Sequence, residues 1–267
     1  VGFHAQRTNG PVGAPLLQVE GLAVLGDRKQ QALRGVSFTL HSGEILGLAG
    51  VAGNGQRELF EALIGIRRAQ AGRVLFAGSD VTNKTPWQLM RRGIAHIPDD
   101  RINEGLVGEL SVAENLILGH QRLPCYRRGP FLAPSRIRAT AGRLIADYDI
   151  ATPSQGHKLK FLSGGNLQKV ILARELSRQP RCLLANQPTR GLDVGVIDYV
   201  HRQLIKRRDE GMAILLISED LEEILSLSDR VAVLYEGEVV GVVPTCDANV
   251  EGLGLLMCGA GKEGTCA

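Results

Sequence analysis

The chain has 267 residues, of which 44% are hydrophobic and 22% charged, and its formal net charge is +3 at pH 7. That balance describes an ordinary globular chain with enough residues for a sizeable core, as one large domain or a core plus a smaller subdomain. It offers no electrostatic case for nucleic acid, and the longest apolar runs, such as "MAILLIS", fall far short of the ~20 residues that a membrane-spanning helix needs.

The short basic clusters at Arg127-Arg128 and Lys206-Arg207-Arg208 read as solvated faces. The five cysteines, Cys125, Cys182, Cys246, Cys258 and Cys266, show no metal-binding spacing and are expected to be reduced thiols, Cys182 in a core strand. The opening "VGFHAQRTNGPVGAP" is polar, rich in Gly and Pro, and lacks a starting Met, so residues 1–15 are expected to be a linker or tail of a longer protein.

In chain order, "LLQVEGLAV" and "LRGVSFTL" read as an antiparallel pair, followed after "HSGE" by the buried strand "EILGLAG". A glycine-rich stretch comes next, then a helix from about Gln56 with Leu59, Phe60 and Leu63 on one face. Trp87 belongs to a packed helix, "GIAHIP" to a strand, and "SVAENLILGH" to a helix capped by Ser111 and Glu114. Residues 135–148 and 166–177 carry helical periodicity.

Beyond them lie the strand "RCLLAN", a helix from Val196 to Arg208, the strand "AILLIS", a helix from Leu221 to Leu227, and a hairpin turning at Glu236-Gly237. Apolar strands alternating with helices predict an α/β fold with a sheet covered on both faces. Residues 244–267 read as a C-terminal tail.

Two stretches carry the chemistry. In "GVAGNGQRE", Gly50, Gly53 and Gly55 allow a tight turn whose N–H groups converge on an anion at a helix N-terminus. Alone, that loop is equally a strand-to-helix turn without a ligand. In "LSGGNLQK", Ser163, Gly164 and Gly165 stand before a helix whose first turn carries Asn166 and Gln168, a second anion-binding terminus. Then follow "CLLANQPTRGLDVG" and "LLISEDLEE". The six histidines form no metal set.

In this order the motifs resemble the nucleotide-binding domain of ATP-binding cassette (ABC) transporters, from about Leu17 to Val243. They are similar in detail to the second, C-terminal ATPase half of fused importer ATPases for sugars and nucleosides, the nucleoside type preferred. The resemblance implies a P-loop NTPase core with a mixed, mainly parallel sheet and an N-terminal antiparallel β subdomain. Residues 16–243 would form the ABC domain, with a helical signature subdomain at about 105–178.

It also implies ATP as ligand. Gly50, Gly53, Asn54, Gly55, Gln56, Arg57 and Glu58 would form the chain's own phosphate loop. Ser163, Gly164, Gly165, Asn166 and Gln168 would complete a partner's site, with Asp193 at the dimer seam.

The departures from the family's active pattern fall on catalysis. Gln56 replaces the phosphate-loop lysine and Arg57 the hydroxyl residue that would hold Mg²⁺. Asn186 and Gln187 replace two carboxylates, Asp99 stands at the glutamine switch, Glu219 at the switch histidine, and no aromatic residue near Leu25 to Arg28 would stack on adenine. A neutral donor contributes ~0.5–1.5 kcal/mol where a charged one contributes ~1.5–3, so phosphate binding weakens by roughly tenfold and survives. Arg57 is expected to restore part of the charge.

Loss of the water-orienting carboxylate removes ~10²–10⁴-fold in rate. Mg²⁺ is therefore expected only at the partner's site, and the isolated chain is expected to be a weak or inactive ATPase. The partners implied are a second ABC ATPase half, membrane permease subunits and, indirectly, an extracytoplasmic substrate-binding protein, with the chain peripheral on the cytoplasmic face of the cell membrane. The loop from Asp99 to Leu110 is the candidate permease contact. A self-dimerising ATPase and a non-catalytic scaffold are the alternatives.

Overall fold

The computed structural model describes residues 13–259, which divide into two compact units. Most of the expected 1–15 linker therefore lies outside the described residues. The first unit opens with β1 (Pro15–Leu25) and β2 (Gln31–His41), paired antiparallel with Val19 opposite Phe38. The strand β3 (Ile45–Ala49) is buried throughout and leads into α1 (Gln56–Leu63), which buries Leu59, Phe60 and Leu63.

Next, β4 (Ala69–Phe76) pairs with the free edge of β1 and the short β5 (Ser79–Asp80) extends that sheet to the order β2-β1-β4-β5. Sequence periodicity did not single out β4, because only its last third alternates in burial. The helix α2 (Pro86–Arg91), which includes Trp87, starts at a capping box between Thr85 and Gln88. It precedes β6 (Ile94–Ile97).

The second unit begins with a single wide turn at Arg101–Gly105, capped by Asp100. The helix α3 (Val112–Leu116) has the expected cap: Ser111 N–H donates to Glu114 Oε2 at 2.8 Å, and Glu114 N–H returns to Ser111 Oγ at 3.3 Å. A small hairpin of β7 (Arg127–Arg128) and β8 (Phe131–Leu132) follows, unforeseen in the sequence. Then come α4 (Pro134–Asp147), packed through Ile137, Ala141 and Leu144, and α5 (Gly164–Leu176).

The chain returns through β9 (Cys182–Asn186), α6 (Val194–Asp209), β10 (Ala213–Ile217), α7 (Leu221–Leu227), β11 (Arg230–Tyr235), β12 (Glu238–Pro244) and α8 (Val250–Met257). The first turn of α6 belongs to the second unit and the remainder to the first. The helix α8 lies where the sequence suggested only a tail.

The main sheet has the order β12-β11-β3-β10-β9-β6; β11, β3, β10 and β9 run parallel, and β12 is antiparallel to β11. Alternation along β11 splits the core. Ala232 and Leu234 join Leu46, Leu48, Leu59 and Phe60, whereas Val231 and Val233 pack with Ile224 of α7 and Leu253 of α8. Both faces of the sheet are thus covered by helices, which is why these strands read as unbroken apolar runs. Burial pushes the Cys182 thiol of β9 up to about 12.

Candidate functional site

Register places the first unit's site residues side by side. Leu48 of β3 and Asn186 of β9 both lie opposite Ile217 of β10, so the phosphate loop, Asn186-Gln187 and Ser218-Glu219 all leave the same carboxyl edge of three neighbouring parallel strands. That edge is where open α/β sheets bind ligands.

The phosphate loop is shaped by backbone chemistry. Gly53 and Gly55 hold φ of 91° and 108°, values that a side chain resists, and a Cβ on Gly50 would stand 2.5 Å from Gln56 Nε2. Gln56 Nε2 donates to the Val51 carbonyl at 3.1 Å, folding the amide back over its own loop. Asn54 is turned away from that concavity. Its Oδ1 accepts the Glu236 N–H at 3.1 Å, and its carbonyl accepts the Gly237 N–H at 3.0 Å. The hairpin turn between β11 and β12 therefore fixes the loop from behind. Glu58 is half-buried in the first turn of α1.

Arg57 does not stand as a free replacement for lysine. Its Nε pairs with Glu61 at 2.8 Å, one turn on, and its Nη1 lies 3.7 Å from Asp27. Arg67 bridges the same two carboxylates, each at 2.6 Å, and donates to the Leu25 carbonyl at 2.8 Å. The Arg67 hydrogen bond, then its charge, holds the Asp27 carboxyl below the usual carboxylate range. These acids offset the charge of Arg57, so the expected electrostatic restoration is diminished. The stretch from Leu25 to Arg28 presents a carboxylate, Asp27, and no aromatic ring.

Asn186 is buried, and Gln187 occupies the left-handed region at φ 49°, its N–H donating to the Ile217 carbonyl at 2.8 Å. Glu219 is exposed, ahead of Asp220, which caps α7. Mg²⁺ takes oxygen ligands and favours carboxylates. A guanidinium at 57 and neutral amides at 186 and 187 do not fit it.

The second unit carries the signature. Ser163 caps α5, with Asn166 Nδ2 donating to its Oγ at 3.0 Å, while Asn166 Oδ1 accepts the Ala151 N–H at 2.8 Å. Ser163 and Gly164 are exposed, and a Cβ on Gly164 would meet open space. Gly165 is different: its Cβ would stand 2.6 Å from Val196 Cγ2 in the first turn of α6. Asp193 begins that turn, accepting the Val196 N–H on Oδ1 at 3.0 Å. Gln168, grouped with the signature by sequence, is fully buried. Its amide is not presented at the surface.

In the same unit Asp99 lies 3.8 Å from Arg190. The loop after it displays Ile102 and Val107. Two residues that sequence reading missed build this loop. Asn115, fully buried, accepts the Val107 N–H at 2.8 Å and donates to the Val107 carbonyl at 3.0 Å; Arg174 donates to the Gly105 carbonyl at 2.8 Å. Only the polarity of Asn115 on the apolar face of α3 could have signalled this.

A strand, glycine loop and helix at the carboxyl edge of a parallel sheet, together with an antiparallel sheet in the same unit and a helical second unit with a serine-glycine-glycine cap, define an ATP-binding cassette. Residues 33–190 match the family described as ABC transporter, and the chain belongs to that family. It is 42% identical over 263 residues to the guanosine import ATP-binding protein NupO of Bacillus subtilis, covering 98% of this chain and 52% of that protein. It is 40% identical to the nucleoside import ATP-binding protein NupA of Lactococcus lactis, covering 97% and 51%, and 41% identical to the glucose import ATP-binding protein TsgD13 of Haloferax volcanii, covering 97% and 48%. The chain thus spans about half the length of the curated relatives it matches.

Among solved structures, a nucleotide-free ATP-binding cassette from an ABC transporter superposes with a TM-score of 0.73 at 24% identity, over 86% of this chain and 92% of that one. A dimeric cassette bound to ADP and Pi in a post-hydrolysis state gives 0.71 at 22%, over 86% and 99%. Both likenesses bear on the fold.

Proposed function

We propose that this chain is the second nucleotide-binding half of an ABC importer ATPase for nucleosides or sugars, nucleoside import preferred. It lends its signature to a partner's ATP site and holds nucleotide at its own loop with little or no turnover. The observation that carries this reading is an asymmetry. Ser163 and Gly164 stand exposed at the head of α5, whereas positions 56, 57, 186 and 187 carry no lysine, hydroxyl or carboxylate.

In this reading Ser163 and the N–H groups that follow it clamp the γ-phosphate held by the partner, a positioning contribution to phosphoryl transfer. Mg²⁺ and the water-orienting carboxylate come from the partner's half. Guanosine and nucleoside import proteins among the relatives fit nucleosides as cargo, and the 41% identical glucose import protein fits sugars.

No helix among the described residues is long and apolar enough to cross a membrane. Permease subunits would then supply the membrane path and an extracytoplasmic binding protein the specificity, with this chain peripheral on the cytoplasmic face. The loop from Asp99 to Leu110 is the permease contact, since it exposes Ile102 and Val107 and is braced from beneath by Asn115 and Arg174.

The test is an equilibrium titration of the isolated chain with a fluorescent ATP analogue, run beside a phosphate-release assay. Saturable binding with negligible release supports the reading. Turnover by the chain alone would refute it.

A further inference from the structure

Between Asn115 and Ala146 the chain carries six arginines and no carboxylate. The centre of this stretch is the hairpin of β7 and β8. Its register sets Arg128 opposite Phe131 and Arg127 opposite Leu132, so each cation shares a face with an apolar side chain. Gly129 turns the hairpin at φ 62°, and Arg127 Nη2 donates to the Pro130 carbonyl at 2.7 Å.

The base is fixed to its own unit. Tyr126 and Ala133 are buried with Ala133 N–H donating to the Tyr126 carbonyl at 2.9 Å, and Arg136 donates to the Arg127 carbonyl at 3.1 Å. The tip is bare: Phe131 is 76% exposed and Leu132 48%. Among the described residues no ion pair joins Arg128, Arg138 or Arg143 to a carboxylate.

We propose that this hairpin docks on an anionic phospholipid surface, Phe131 and Leu132 entering the headgroup zone and the arginines meeting lipid phosphates. An arginine beside an aromatic residue on a stiff projection suits the membrane interface, where apolar area and attraction to anionic lipid act together. Strands of two residues offer no groove to receive a peptide. Arg127 and Arg128 in the hairpin and Arg136 at its base add positive charge beside the bare apolar tip, which matches an anionic surface. The inference goes beyond the transport reading and does not depend on the nucleotide site.

The test is co-sedimentation of the full chain with phosphatidylcholine vesicles, plain or doped with phosphatidylglycerol. Binding is expected only to the doped vesicles and should weaken as salt rises. Each arginine near such a surface is worth roughly fivefold in affinity, so Arg128→Glu with Arg138→Glu should lose at least twentyfold. Phe131→Ser should weaken binding while leaving the salt dependence in place. Because these side chains are exposed, unchanged thermal melts should accompany both variants. No binding to doped vesicles, equal binding to plain ones, or undiminished binding by the charge-reversed variant would overturn the proposal, the first favouring an acidic protein segment as partner.

Discussion

Asn54 and Glu236, 182 positions apart in sequence, are joined by a 3.1 Å hydrogen bond from the Glu236 N–H to the Asn54 side-chain oxygen. The Gly237 N–H closes a second bond on the Asn54 carbonyl, and the Gly237 carbonyl accepts the Arg34 N–H at 2.8 Å. Phosphate loop, hairpin turn and the start of β2 are therefore locked as one backbone unit. Asn54→Ala should cost about 0.5–1.5 kcal/mol, and Asn54→Asp, which retains the acceptor, should cost less. A thermal melt reads the difference as about 2–4 °C for each kcal/mol in a chain of this size.

The two signature glycines should respond oppositely to alanine. At Gly165 the added methyl meets Val196, and the overlap should destabilise the fold by about 1–3 kcal/mol, relieved in part when Val196→Ala is added. At Gly164 the methyl meets nothing, and in the first turn of α5 alanine should be neutral or stabilising by up to about 1 kcal/mol. Urea titrations of the two single variants and the double variant check both signs.

Gln168 is fully buried with both amide atoms lacking a hydrogen-bond partner. An orphaned buried polar group costs about 1–3 kcal/mol, so Gln168→Leu should raise the urea midpoint. A lowered midpoint would mean that the amide is satisfied in the folded protein in solution.

Asp27 supplies a pH test. Its folded carboxyl titrates below the ordinary 3.8, chiefly through the Arg67 hydrogen bond. A depressed acid contributes stability above its unfolded value and loses it as pH falls through the folded one. The wild type should therefore hold a constant advantage over Asp27→Asn from neutral pH down to about 5, then lose it below 3.8. The pair is exposed, so the advantage should be small and should shrink with added salt.

What the sequence made legible was local. The capping box of Ser111 and Glu114, the apolar face of Leu59, Phe60 and Leu63, and the turn at Glu236-Gly237 are each encoded within a few residues, and all three form. What it hid was long-range or short-lived. Besides Glu61, one turn on, Arg57 lies within 3.7 Å of Asp27, thirty positions away, and nothing local foretold that second contact. The hairpin at 127–132 has strands of two residues, too short for alternation to register. The helix α8 contains two glycines, so its propensity argued against it until Leu253 found Val231 and Val233 to pack on.

Among the candidate site residues, glycine spacing announced the tight loop before α1 and the start of α5 at Ser163. Spacing could not reveal that Asn54 and Gln168 face into the protein.

The central claim is that the signature of this chain acts on a partner's site. Its most direct test is phosphate release from ATP by the chain alone, by its companion nucleotide-binding half alone, and by the two mixed, with Ser163→Arg as the control. Ser163 is exposed but caps α5, so the substitution should cost about 0.5–2 kcal/mol of stability, and a thermal melt of the variant establishes that it is folded at the assay temperature. The account predicts little release by this chain, strong release by the mixture, and a return to the companion's own rate when the mixture carries Ser163→Arg. Strong release by this chain alone, or a mixture indifferent to Ser163→Arg, would contradict it.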